Sequence, residues 1–157
     1  MKIRLIMTGK TSDKWLKEGL EQYFNRISRY LPFDVKVIPD LKNAGKMDPD
    51  AVKQQEGEAI LKSVDNSDRL VLLDENGKMF SSREFAGLIE KHMISGCRYL
   101  VFVIGGAWGV SDEVFRRADQ RVSLSPMTFS HQMVRLVFAE QLYRAMSIIN
   151  NEPYHHD

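Results

Sequence analysis

The chain has 157 residues, 43% of them hydrophobic and 27% charged, with 22 basic and 21 acidic side chains and a net charge of +1. That length and balance suit one globular domain over residues 1–157 with a sizeable core. They speak against a disordered chain and against a broadly basic nucleic-acid binder, and no apolar run nears the roughly 20 residues of a membrane span.

MKIRLIMTGK opens the chain with a short apolar strand, Ile3 to Met7, too short and interrupted for a signal peptide, so a cytoplasmic location is expected. Thr11, Ser12 and Asp13 offer caps for a helix from about Lys14 to Tyr30, where Leu16, Leu20, Phe24, Ile27 and Leu31 recur every three or four residues. Phe33 to Ile38 alternates as a half-buried strand closed by Pro39. After the polar loop LKNAGKMD, Asp48 and Pro49 read as a cap and a first-turn proline, opening a helix to about Ser63.

Arg69 to Leu73 is a continuous apolar run, the pattern of a strand covered on both faces, and DENGK is expected to turn the chain. Ser81 and Glu84 form a capping box for a helix to about Ser95. Arg98 to Ile104 is a second buried strand ending at Gly105-Gly106. Ser111 caps a short helix with Asp112 and Glu113 in its first turn. A short strand, Arg121 to Leu124, precedes a long helix from His131 to Asn150 and the tail NEPYHHD.

Strands and helices therefore alternate throughout, which predicts an α/β domain with a mainly parallel sheet flanked by helices. Ligands of such sheets bind beyond the carboxyl ends of the strands. Three loops fall there, after Leu73, after Ile104 and after Leu124. The last helix is apolar most of the way round, with Met133, Val134, Val137, Phe138, Leu142 and Met146 among its residues. Such a helix is buried on several sides. The expected second cover is another copy of the chain, although a central helix in a monomer has the same pattern.

The residues that could carry chemistry gather in the second half. IGGAWGV lets a backbone approach a ligand closely, but it has neither the dinucleotide spacing nor a P-loop lysine, and alone it also reads as a turn. LSPMTFSH mixes Ser125 and Thr128 with Leu124, Pro126, Met127 and Phe129, a wall that could hold a flat base, or a plain connection. Glu140 and Arg144 share a helix face and can simply pair; His131 can cap its helix; Tyr154, His155 and His156 can be a frayed tail. Arg116, Arg117, Arg121, Arg135 and Arg144 suit phosphate recognition, or a solvated helix face. The lone cysteine, Cys97, reads as a small buried or half-buried apolar residue. There is no metal-ligand spacing and no Ser-His-Asp or Cys-His arrangement.

FVIGGAWGV followed by LSPMTFSHQMVRLVFAEQLYRAMSIINNEPYHHD resembles the signature of the ribosomal large-subunit methyltransferase H family, a minimal group of SPOUT methyltransferases. MKIRLIMTGK, QEGEAIL and LLDENGK match as well, so the resemblance spans essentially the whole chain; Trp108 and the final His156-Asp157 fall at its variable places. It implies a SPOUT-type fold with a C-terminal trefoil knot, against the usual rule that chains do not thread loops. It implies an S-adenosylmethionine pocket lined by Leu73, Gly105, Leu124, Ser125, Pro126, Met127, Thr128 and Phe129, with no metal. It implies a homodimer packed through the C-terminal helix, methylating N3 of a pseudouridine in 23S ribosomal RNA on the assembled ribosome. Docking on a ribosome fits the modest net charge. In that reaction Arg144 stabilises charge on the base or holds a phosphate, Tyr154 and His155 close over the base with His155 the leading proton acceptor, and His131 and Glu140 give support. The competing readings are a SPOUT enzyme acting on tRNA, a ribosome-binding factor without turnover, and a nucleotide-binding module without RNA.

Overall fold

The structure is a computed structural model describing residues 1–156; Asp157, the last residue of the expected domain, lies outside the described residues. The elements alternate as β1 (Lys2–Thr8), α1 (Lys14–Ile27), β2 (Phe33–Ile38), α2 (Pro49–Leu61), β3 (Arg69–Met79), α3 (Ser82–Ile94), β4 (Tyr99–Ile104), α4 (Asp112–Arg117), β5 (Gln120–Ser123) and α5 (Met133–Ile149). A single 3-10 turn, Ala44–Lys46, sits in the expected polar loop. Local chemistry accounts for several starts. The Ser81–Glu84 capping box is closed in both directions, Ser111 caps α4 through the Val114 N–H, and Pro49 fills the first turn of α2. Asp13 and Asp48 occupy cap positions without a side-chain cap bond, and Gln132 rather than His131 precedes α5.

The strands form one sheet in the order β2-β1-β4-β3-β5, with all four pairings parallel. Side chains of a strand point alternately to opposite faces. In β4, Leu100, Phe102 and Ile104 therefore enter one core, with β1's Leu5 and α5's Phe138 and Leu142, while Val101 and Val103 enter the other, with Ile60 of α2 and Val114 of α4. Helices α1, α3 and α5 cover the first face and α2 and α4 the second. Two buried faces are what the unbroken apolar runs of β3 and β4 require.

One expectation is corrected. DENGK does not end its strand: β3 continues to Met79, and both Leu73 and Lys78 pair with Val122 across an irregularity. Residues 74–77 are an outward excursion within the strand, not a connection. Its return brings Gly77 against β5, where a Cβ would lie 2.7 Å from the Arg121 carbonyl carbon and 2.8 Å from the Val122 nitrogen. A backbone cannot yield as a side-chain tip does. Gly77→Val should therefore lower stability by about 1–3 kcal/mol, the usual cost of overpacking, read as a lower midpoint in urea. A midpoint equal to wild type would mean that the close approach is not enforced.

Candidate functional site

A cavity of about 440 Å³ opens beyond the carboxyl ends of β4 and β5, beside the excursion in β3. Its floor is apolar, from Leu72, Leu73, Ile104 and Val122, and its walls are the loops after β4 and β5 and the excursion in β3. Gly105, Leu124, Ser125, Met127, Thr128 and Phe129 all line it, whereas Pro126 is exposed and does not. Gly105 has no room for a side chain: a Cβ there would come within 2.8 Å of Val110 Cγ1. The turn behind it closes with the Gly109 N–H donating to the Gly106 carbonyl (3.0 Å), and Gly109 adopts φ +84°, the left-handed region that favours glycine.

Side chains shape the other loop. The Ser123 hydroxyl donates to the Ser125 carbonyl (2.9 Å), and the Met127 N–H donates to Ser125 Oγ (3.0 Å). The β3 excursion ties in from the far wall: Thr128 Oγ1 donates to Glu75 Oε2 (2.7 Å), and Arg121 pairs with Asp74 at 3.2 Å. A flat, partly apolar ligand with polar edges fits such a lining, and the volume lies in the range of roughly 300–1,000 Å³ usual for small-molecule sites. Trp108 and Met127 stand exposed at the lip, 59% and 77% accessible.

Sequence reasoning missed Lys53 of α2 and Asp112 and Phe115 of α4, which also line the cavity. Only the packing of these two helices beside the glycine turn brings them there, so no local pattern marks them. His131 lines the cavity too, apart from the cluster it was expected to support. Burial, and then the nearby Arg135 guanidinium, hold its imidazole below the usual histidine range, with Asp40 opposing. A depressed histidine binds its proton less readily folded than unfolded, so stability is lost as pH falls below about 6.5. His131→Gln should flatten that acid-side decline in melting temperature between about pH 7 and 5. An unchanged slope would remove His131 from the linkage and leave it to His92, which is depressed in the same direction.

The second group forms at the other end of α5. Glu140 Oε1 accepts from Arg144 Nη2 (2.5 Å) and from the Tyr154 hydroxyl (3.1 Å). Arg144 Nη1 lies 3.3 Å from His155 Nδ1, and its guanidinium stacks 4.8 Å from the centre of the Tyr154 ring. The tail is pinned rather than frayed. Tyr154 packs edge-on against Tyr143 at 4.6 Å, and Tyr30 donates a hydrogen bond to Glu152. Burial, a bond with Tyr23 and the Glu140 carboxylate push the Tyr154 phenol well above its ordinary range, so it remains a proton donor.

The five arginines divide. Arg135 is wholly buried, and Arg117 donates to the backbone carbonyls of Asp65 and Asp68, so neither is available to a phosphate. Arg116 pairs with Glu113 at 3.6 Å on the surface, and Arg121 is held by Asp74. Arg144 alone belongs to a cluster of titratable side chains that includes the tail. Among the described residues, no group of three or more His, Cys, Asp or Glu is arranged to hold a metal, and no helix is long and apolar enough to cross a membrane.

A parallel sheet flanked by helices, with a cavity at strand ends, defines an α/β protein of the kind whose ligands bind there, and comparison with known proteins narrows the class. A family model described as "Predicted SPOUT methyltransferase" matches residues 1–155. A ribosomal RNA large subunit methyltransferase H of Christiangramia forsetii is 54% identical over 156 residues, covering 99% of both chains. The protein of the same name from Parabacteroides distasonis is 51% identical over 157 residues, the whole of both. A probable methyltransferase from Bordetella pertussis Tohama I, 12% identical, shares the fold with a TM-score of 0.58 over 92% of this chain and 95% of its own. The chain belongs to the SPOUT methyltransferases and, within them, to the ribosomal RNA large subunit methyltransferase H family.

Proposed function

We propose that this methyltransferase moves a methyl group from S-adenosylmethionine to N3 of a pseudouridine in 23S ribosomal RNA, on the assembled ribosome in the cytoplasm, as a homodimer. The reading includes the C-terminal trefoil knot, the cavity as cofactor pocket, and a single domain. The observation that carries it is the cavity itself: the loops expected to hold an adenosyl ligand converge on one space of the right size in a chain of this family.

When bound, S-adenosylmethionine supplies an already activated methyl group. The protein's share is then to position the base in line and to manage the imide proton at N3. Loss of that proton spreads charge over the flanking carbonyl oxygens, and an adjacent guanidinium stabilises it. Arg144 is the group proposed for this, or for gripping the phosphate, and Glu140 orients it. Tyr154 and His155 close over the base. A guanidinium only donates, so His155 Nδ1 is the acceptor in its contact with Arg144. Taking the N3 proton at Nδ1 requires His155 to part from Arg144.

A distance supports dimerisation. Val134 lines the cavity and Arg144 lies ten residues further along the same helix, roughly 15 Å at 1.5 Å per residue. One chain does not bring the cluster to its own cavity. A second copy packed on α5, whose Val137, Gln141 and Ile148 are only partly covered, can set its cluster beside the first copy's pocket.

The test is transfer of isotopically labelled methyl from S-adenosylmethionine to ribosomes from cells lacking the enzyme, with mass spectrometry of the digested RNA. Methylated pseudouridine from intact ribosomes, and little from naked 23S RNA, is expected. Methylation of tRNA instead, or of nothing, would contradict the reading.

A further inference from the structure

Glu56, in the QEGEAIL segment of α2, is a half-buried carboxylate that neither the cavity lining nor the reaction above accounts for. Its Oε2 is buried and has no hydrogen-bond partner. Burial, and then the nearby Asp40 carboxylate, raise its pKa. The side chain faces the glycine turn: a Cβ on Gly106 would lie 2.8 Å from Oε2 and 3.1 Å from Oε1. Gly106, unlike Glu56, lines the cavity. Helix α2 is also held close, since a Cβ on the next residue, Gly57, would sit 2.2 Å from Ser111 Oγ at the cap of α4. Its register therefore aims Glu56 at the loop rather than at solvent.

A buried acceptor without a donor is destabilising, and such groups in native proteins call for an explanation. A leucine of similar size would remove the unmet acceptor and the repulsion from Asp40. The position nevertheless holds a carboxylate, against the backbone of a cavity-lining turn.

We propose that Glu56 is a positioning residue for the adenosyl ligand: its unpaired oxygen accepts a hydrogen bond from the backbone of the Gly105–Gly109 turn as that turn settles on the ligand. The inference rests on the cavity being the cofactor pocket. It makes α2 part of the binding machinery, acting through the turn without touching the ligand. The ligand-free protein carries the cost of the unmet oxygen, and binding relieves it.

Glu56→Leu keeps much of the volume and removes the acceptor, and Glu56→Gln keeps an acceptor without the charge. Calorimetric titration of each with S-adenosylmethionine and with S-adenosylhomocysteine, alongside melting of the ligand-free proteins, tests the proposal. Glu56→Leu should bind both ligands about tenfold more weakly, the size of one lost hydrogen bond, while melting no lower than wild type. Glu56→Gln should stay within about threefold of wild type. Wild-type affinity in Glu56→Leu, an equal loss in Glu56→Gln, a loss confined to the cationic ligand, or a drop in melting temperature parallel to the affinity would each overturn it. If the wild-type protein binds neither ligand, the pocket assignment itself fails, and this inference with it.

Discussion

Replacing Arg144 by alanine is expected to slow methyl transfer to ribosomes about 100- to 1,000-fold, the usual cost of removing a group that stabilises charge in a transition state. The side chain is held ready for that role: Glu140 fixes one nitrogen, His155 Nδ1 lies by another, and the Tyr154 ring supports the guanidinium plane. The pair with Glu140 is partly exposed, so its loss costs the fold little. The variant should melt near wild type and titrate with S-adenosylmethionine normally, because the cavity is built from other residues. Arg144→Lys should recover little, since a single ammonium cannot donate to Glu140, His155 and a base oxygen in one plane. Near-normal turnover in Arg144→Ala would end the proposed role. A loss explained entirely by weaker cofactor binding would move Arg144 into the pocket instead.

Arg135→Met is expected to show the largest effect on stability. The guanidinium is wholly buried, yet none of its hydrogen bonds goes to a carboxylate. It donates to the carbonyls of Thr8 (2.6 Å), Gly9 (2.9 Å) and His131 (3.1 Å) and to Thr11 Oγ1 (2.9 Å). It thereby ties the turn after β1 to the first turn of α5. Gln132 reinforces the joint by donating to the Lys10 carbonyl and accepting from the Ser12 N–H. Methionine would fill part of the space but strand several buried acceptors. A loss of about 3–5 kcal/mol follows. For a domain of this size that is on the order of 10 °C in melting temperature. The same change should raise the His131 pKa, because Arg135 is one of the groups holding it down. A melting temperature within about 2 °C of wild type would show that water satisfies these carbonyls equally well.

These two arginines show where reading the sequence works and where it stops. The pairing of Arg144 with Glu140 was legible, because their four-residue spacing is local. Arg135 reads from sequence alone as one more arginine for a phosphate or for a solvated helix face. Its partners at Thr8, Gly9 and Thr11 lie more than 120 residues back along the chain, and no periodicity in α5 points to them. The strands and their order of use were readable from apolar runs covered on both faces and from signals such as Ser81 with Glu84. DENGK misled because Asp, Asn and Gly do favour turns, but pairing of Lys78 and Met79 with β5 outweighs that preference and keeps the strand going. Two of the cavity walls, after Ile104 and after Leu124, were legible as strand ends; the third, after Leu73, is the excursion within β3. Lys53, Asp112 and Phe115 reach the cavity only through the packing of α2 and α4, and His131 parts from Glu140 because eight residues of α5 and its approach separate them.

The carboxyl-end cavity as the methyl donor's pocket is the claim on which the rest depends. A crystal structure grown with S-adenosylmethionine tests it most directly. Density for the adenosyl group is predicted against Leu73, Gly105, Leu124, Ser125, Met127, Thr128 and Phe129, in the cavity beyond β4 and β5. Density at the opposite end of the sheet, in the smaller pocket beside Arg69 and His92, or an empty cavity at saturating ligand, would contradict it.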